Sequence, residues 1–252
     1  MQKLSVVIIC KNSSAVISNT LLSLEGLTDD VVVYDNGSTD QTQEIIKQSA
    51  ARLYEGAWEG FGKTKNKANV LAKYDWVLSL DADEAIDETL KKSLLLLDLR
   101  DPHKVYEFRF KNFIGNKWIR FGAWRNDKHI RLFNRKQVSW NDAAVHELLN
   151  RAAGAIIQTV QGYVLHHTAA GINEFEIKMR DYAKLNAVKY FQQGRKAGTV
   201  KKYFAAFFSF VRNYFLRAGF ADGKAGFACA RIIALYTFLK YNELNELNRK
   251  RS

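Results

Sequence analysis

The chain has 252 residues, with 38 Lys and Arg against 26 Asp and Glu for a net charge of +12, and 47% of its residues are hydrophobic. That length supports one large α/β domain or a domain with a helical appendage, and the apolar share excludes a disordered chain. Its two cysteines, Cys10 and Cys229, lie far apart and outside any C-x-x-C pair, which excludes a disulfide framework and a zinc cluster and fits a cytosolic protein.

Residues 4–10, Leu-Ser-Val-Val-Ile-Ile-Cys, read as a buried strand. The run is too short for a signal peptide and has no small-residue cleavage site. Lys11-Asn12-Ser13-Ser14 is expected to cap a helix carrying Val16, Ile17, Leu21 and Leu24. A second strand at residues 31–34 ends in Asp35-Asn36-Gly37-Ser38-Thr39-Asp40, where Ser38 and Gln41 suit a capping box for the next helix. A weak third strand at 52–54 precedes Gly60-Phe61-Gly62-Lys63-Thr64-Lys65-Asn66, which opens a helix running to about residue 74. Strands alternating with helices at this spacing predict an α/β fold with a Rossmann-like, mostly parallel sheet. No G-x-G-x-x-G follows the first strand, which argues against dinucleotide binding.

Residues 76–80, Trp-Val-Leu-Ser-Leu, read as a strand buried on both faces that runs directly into Asp81, Asp83 and Glu84. Ligands of open α/β sheets bind beyond the carboxyl ends of the strands. Side chains alternate along an extended chain, so Asp81 and Asp83 are expected to project the same way. Two converged carboxylates with no cation beside them in sequence call for magnesium or manganese holding nucleotide phosphates. A solvated loop or a cap for the helix starting near Asp87 is the structural alternative.

Beyond this centre come a leucine-rich helix at 86–97 and an alternating strand at 105–113, with Tyr106, Phe108 and Phe110 on its apolar face. Another strand is expected at 129–134. Residues 115–126 between them, rich in Trp, Arg and Gly, read either as a substrate-facing loop or as a loop folded over the sheet edge. A strand at 160–166 follows, and then helices at 174–192, 200–217 and 223–247. From residue 176 onward there are 16 Lys and Arg against 5 Asp and Glu, a surplus of 11. Phe204, Phe207, Phe208 and Val211 share one helical face, flanked by Lys201, Lys202, Arg212 and Arg217. Basic and aromatic together, this tail reads as a contact for an anionic membrane surface first and for nucleic acid second; docking on the catalytic core or a homo-oligomer interface are the alternatives. No run reaches the roughly 18 apolar residues that a spanning helix needs.

Taken in order, Ser5-Val-Val-Ile-Ile, Val-Val-Tyr-Asp35-Asn36-Gly-Ser-Thr-Asp40 and Trp76-Val-Leu-Ser-Leu-Asp81-Ala-Asp83-Glu84 resemble the inverting family 2 glycosyltransferases of GT-A fold, over residues 4–170. Arg131-Leu-Phe, Val145-His-Glu147, Leu165-His166 and Gly219-Phe-Ala-Asp222-Gly-Lys-Ala-Gly226-Phe resemble the branch that builds the bacterial lipopolysaccharide core. The resemblance implies a GT-A nucleotide-sugar-binding domain over 1–170 and a C-terminal helical region over 171–252. It implies transfer of a hexose, glucose first, from a UDP-sugar to a lipid-linked saccharide on the inner face of the cytoplasmic membrane. By the same resemblance the first motif, with Lys11, and the Asp35 turn hold the nucleobase and ribose. Asp81 approaches the ribose, and Asp83 binds the metal of a D-x-D site. Asn36 replaces the family's common second aspartate of the turn, which leaves the base contact at Asp35 or Asn36 open. Lys63 and Lys65, at a helix start, are placed to meet phosphate through charge and free amides, with solvated surface lysines as the alternative. Glu147 stands where relatives carry the catalytic base, with Asp142 second, and His166 is expected as a further metal ligand. His167 has no role.

Two other readings compete. A metal-dependent nucleotidyltransferase would carry a glycine-rich basic loop after the first strand, where this chain has Cys10-Lys11-Asn12. A non-enzymatic membrane or nucleic-acid binder would not require carboxylates at strand ends. A transferase acting on another envelope polysaccharide or on a polyprenyl phosphate remains the nearer alternative, and nucleic acid is not expected as a partner.

Overall fold

Six residues, Ser5–Cys10, form β1 and are buried at every position, as expected of a strand covered on both faces. The computed structural model describes residues 1–141, 149–150 and 154–251. After β1 come α1 (Ile17–Ser23), β2 (Val31–Asp35), α2 (Thr42–Lys47), β3 (Arg52–Glu55), α3 (Phe61–Val70), β4 (Trp76–Asp81), β5 (Glu84–Ile86) and α4 (Glu88–Leu95). Then follow β6 (Lys104–Ile114), β7 (Lys117–Ile119), β8 (Lys128–Asn134), β9 (Ser139–Trp140), β10 (Leu149–Asn150) and β11 (Ile156–Ala169). The helices α5 (Ile172–Gln192), α6 (Thr199–Val211) and α7 (Gly223–Arg251) complete the chain.

The main sheet runs β3-β2-β1-β4-β8-β6-β11-β5, with β7 paired to β6. Its first four strands are parallel, and β2, β3 and β4 are each reached through a helix, as parallel neighbours require. Beyond β4 the sheet continues antiparallel through β8 and β6, and β5 pairs antiparallel with β11. This is the α/β class that the strand and helix rhythm predicts. Alternate residues of β1 fill opposite faces. Val6 and Ile8 pack with Leu78, Leu80 and Phe108, whereas Val7 and Ile9 pack with Val32, Val77 and Phe133.

The chain divides into two compact units. The first comprises Met1–Phe110 and Asp127–His166, and the second Lys111–Asn126 and His167–Ser252. Residues 115–126 therefore belong with the C-terminal helices. Within the second unit, the buried Asp222 carboxylate accepts the amides of Arg120 at 3.0 Å and Phe121 at 2.9 Å. A Cβ at Gly226 would collide with the Gly219 carbonyl. These two contacts give the late glycine and aspartate pattern a structural reason. Ile114, Phe175, Cys229 and Ile232 form the core of this unit. On α6, Phe204 and Phe207 are 69% and 68% exposed.

Two local expectations fail for stated reasons. Ser38 does not cap α2, because its hydroxyl turns back to Asp35; Asp40 instead accepts the amide of Thr42 at 3.1 Å. Strand β4 stops at Asp81, and Ala82-Asp83 forms a turn into β5. Strand alternation therefore does not carry through to Asp83, and Asp81 and Asp83 meet different partners.

Candidate active site

Strands β1, β2 and β4 are parallel and in register, with Cys10 opposite Asp35 and Ile9 opposite Asp81. Their carboxyl ends therefore open onto one edge, where α/β sheets bind ligands. At that edge Asp35 is fully buried. Its carboxylate accepts the Ser38 amide at 3.0 Å, Gln43 Nε2 at 2.7 Å, the Cys10 thiol at 3.4 Å and the Ser38 hydroxyl. Burial works to raise its pKa, but the bonds from Ser38 and Gln43 outweigh burial and hold it below the usual carboxylate range. Asn36 is also buried, and its Nδ2 donates to the Gly56 carbonyl at 3.2 Å.

The loop after β1 is tied to the loop after β2. The Asn12 amide donates to Ser38 Oγ, and Asn12 Oδ1 accepts the Thr39 amide, both at 2.8 Å. Thus Asp35 and Asn36 shape the two loops from inside, and Lys11 stands exposed beside them.

Asp81 lies between two cations. Lys65 Nζ approaches its Oδ1 at 2.9 Å and an Arg131 terminal nitrogen its Oδ2 at 3.1 Å. The same guanidinium pairs with Glu84, whose Oε2 accepts the Asp81 amide at 3.1 Å. Lys65, Glu84 and Arg131 are all buried, while the Asp81 side chain keeps 31% of its surface exposed. Burial opposes the charge of Asp81, but Lys65 and then Arg131 hold its carboxyl well below the ordinary range. For Glu84 burial wins and raises the pKa, with Asp81 adding to it against the pull of Arg131. The Lys65 ammonium also lies 4.8 Å from the Trp140 ring centroid. Asn66 and Trp140 exchange two bonds, at 2.8 and 2.9 Å, which fixes α3 against β9. The sequence placed Lys65 among phosphate contacts; the structure places its ammonium on Asp81. Lys63 is exposed on the same helix.

Asp83 follows in the turn, and β5 pairs with β11 so that His166 stands opposite Glu84. This register brings His166 Nε2 to 3.4 Å from Asp83 Oδ2, with both side chains partly open to solvent at 23% and 22%. Phe110 backs the group, its ring 6.3 Å from His166, 4.8 Å from His129 and 5.4 Å from the Arg131 guanidinium. The pair fits a divalent ion. Two ligand atoms about 2.1 Å from an octahedral metal stand about 3.0 Å apart, close to the spacing seen. Among the described residues no cluster of three metal-ligating side chains occurs.

Of the residues singled out in the sequence, the fold thus gathers Asp81 with Lys65 and Asp83 with His166. Lys11, Asp35 and Asn36 lie together at the ends of β1 and β2. Glu147 and Asp142 lie outside the described residues. Arg131, within the Arg131-Leu-Phe motif, joins Asp81 to Glu84. The signal for it was an arginine inside an otherwise apolar strand, Ile130-Arg131-Leu132-Phe133, since a charge there is buried and must be paired.

The chain is similar to known proteins over most of its length. An uncharacterized glycosyltransferase of Rickettsia typhi is 30% identical over 99% of this chain and 89% of its own length. The lipopolysaccharide core biosynthesis glycosyltransferase LpsC of Rhizobium meliloti is 27% identical over 94% of this chain and 89% of its own. S. aureus TarS in complex with UDP-GlcNAc superposes with a TM-score of 0.47 at 19% identity, covering 100% of this chain and 93% of that one. The family model described as glycosyl transferase family 2 matches residues 5–155, a span that includes both carboxylate turns and most of the sheet around them. The chain belongs to glycosyl transferase family 2.

Proposed function

We propose that the protein moves a hexose, glucose in the first instance, from a UDP-sugar to a hydroxyl of a lipid-linked saccharide such as the lipopolysaccharide inner core, with inversion at the anomeric carbon. The observation that carries the donor half of this reading is the pair Asp83 and His166 beside Asp81, at the carboxyl edge of the parallel strands. Asp81, held ionised and immobile by Lys65 and Arg131, accepts a ribose hydroxyl. Lys11 and Lys63, both exposed, supply charge to base and phosphate, while Asp35 and Asn36 set the shape of the loops that meet the nucleoside. Asp83 and His166 would hold magnesium or manganese, which when bound would supply positive charge to stabilise the leaving nucleoside diphosphate. The acceptor half rests on the kinship with LpsC.

Purified enzyme incubated with a panel of nucleotide sugars and truncated lipid acceptors tests this directly. UDP-glucose with a core saccharide is expected to give a product of inverted configuration. Transfer only to a polyprenyl phosphate or another envelope polysaccharide would move the acceptor; a retained configuration would refute single displacement.

Inversion needs a base on the acceptor hydroxyl. We assign this to Glu147, with Asp142 second, on their sequence position alone. A positioned base contributes about 10² to 10⁴ in rate. Glu147→Gln should therefore lower kcat by about that factor and leave UDP affinity near that of the wild type. Full turnover by Glu147→Gln with an inactive Asp142→Asn would transfer the role to Asp142.

No helix among the described residues is long and apolar enough to cross a membrane. For an enzyme with a lipid-linked acceptor, the exposed Phe204, Phe207 and Phe208, with basic residues beside them, make a contact for the anionic inner face of the cytoplasmic membrane. Each basic residue near such a surface adds about 1 kcal/mol. Flotation should recover the protein with anionic vesicles at low salt, and less of it at high salt. Equal recovery with neutral vesicles under both conditions would refute the contact.

A further inference from the structure

A second cluster of cations lies within the C-terminal unit, and the proposed transfer reaction makes no use of it. Where α5 turns into α6, a cavity of 180 Å³ is lined by Tyr190, Arg195, Lys196, Lys201, Tyr241 and Leu244. That volume is well above the roughly 10–15 Å³ needed to hold one water. The turn is fixed by its own backbone, with the Gly194 amide on the Phe191 carbonyl at 2.9 Å and the Arg195 amide on the Tyr190 carbonyl at 3.0 Å. Asn248 of α7 donates to the Arg195 carbonyl at 3.2 Å.

The cations rest on aromatic rings. Arg195 stacks 4.4 Å from the Tyr190 centroid, and Lys201 lies 5.4 Å from that of Tyr241. Behind them the Lys240 ammonium lies 5.1 Å from Tyr190 and 5.0 Å from Tyr241. Burial, and then the nearby Arg195, push the pKa of Lys240 down. Among the described residues no carboxylate comes within ion-pairing distance of Arg195, Lys196, Lys201 or Lys240. Elsewhere on the same helices such partners are found, since Arg180 and Arg231 both meet Glu176, at 2.7 and 2.8 Å.

We propose that this cavity binds a phosphate group, taken either from a lipid headgroup or from a soluble phosphate ester. Cations converging without an acid repel one another, and an anion placed between them removes that repulsion. Phosphate suits the set better than a carboxylate. It carries up to two charges against three lining cations, and it offers several oxygens to the planar fork of Arg195. The tyrosine rings hold the cations in place beforehand, so less ordering remains to be done on binding.

Isothermal titration of the full chain with inorganic phosphate, in EDTA and at low salt, tests the site. Wild type is expected to bind saturably, and Arg195→Gln with Lys201→Gln to bind at least tenfold more weakly. Should that double variant fail to fold, Lys196→Gln, an exposed change, is expected to weaken binding at least threefold. Lys184→Gln, on α5 but away from the cavity lining, should leave binding unchanged. Co-sedimentation with phosphatidic acid vesicles separates the sources. Loss of vesicle binding in the same variants assigns the phosphate to a lipid headgroup, and unchanged vesicle binding alongside weakened phosphate binding assigns it to a soluble ester. Phosphate binding that is unsaturable, or equal in wild type and variants, overturns the proposal.

Discussion

Asp83→Asn is expected to abolish sugar transfer and to remove the part of UDP binding that depends on manganese, while leaving the fold intact. Asp83 sits in the two-residue turn between β4 and β5, partly exposed, so the change from carboxylate to amide leaves the packed core untouched. What it removes is a negative oxygen 3.4 Å from His166 Nε2, and with it the charge that would attract the ion. A metal supplies several kcal/mol of charge stabilisation at a breaking bond to a phosphate leaving group, which corresponds to a loss of about 10³-fold or more in rate. The measurement is UDP affinity by calorimetry with and without manganese, beside turnover of the nucleotide sugar. Full wild-type activity in excess EDTA would sink the assignment, whatever the variant does.

Arg131→Met is the counterpart on the side of stability. It keeps most of the buried length of the side chain but removes the cation shared by Asp81 and Glu84. Glu84 is 1% exposed and cannot turn to water. Breaking a buried pair by removing one partner typically costs about 3–5 kcal/mol, because the other charge is left behind. Urea unfolding followed by tryptophan fluorescence should show a loss of that order at pH 7.5.

The dependence on pH has a definite sign. The folded-state pKa of Glu84 is already raised above its ordinary value by burial and by Asp81, and loss of Arg131 raises it further. A group with a raised carboxyl pKa binds its proton more tightly folded than unfolded, so the folded state loses stability as pH climbs from the unfolded pKa through the folded one. Asp81 runs the other way. Its folded pKa is depressed in the wild type, so its contribution is present above the unfolded pKa and fades as pH falls through the folded value; the substitution removes part of it. The Glu84 change makes the penalty of Arg131→Met larger at neutral than at mildly acidic pH, whereas the Asp81 part alters only below its unfolded pKa. A penalty that is the same at both values would mean that Glu84 stays ionised without Arg131. Lys65 would then be the cation that matters for the network.

Much of this architecture is visible along the chain because it depends on local pattern. Apolar runs with turn residues behind them mark β1, β2 and β4, and the helices between those strands require them to be parallel. Acid at the end of β4 marks the ligand edge, since parallel strands in register end together. The capping of α2 was misread because Ser38 had two partners within reach, the amide ahead and the Asp35 carboxylate behind. The choice went to the buried charge, where a hydrogen bond is worth more.

The sequence by itself determined the α/β class and the edge at which the candidate site lies, because both follow from periodicity over neighbouring residues. Only the tertiary structure decided which cations meet the acids there. Lys65 comes from a helix and Arg131 from a strand far along the chain, and no spacing rule links either of them to Asp81. Likewise the register of β11 against β5, which sets His166 beside Asp83, depends on which side chains each strand can bury, and a slip of one residue would turn His166 to the other face of the sheet.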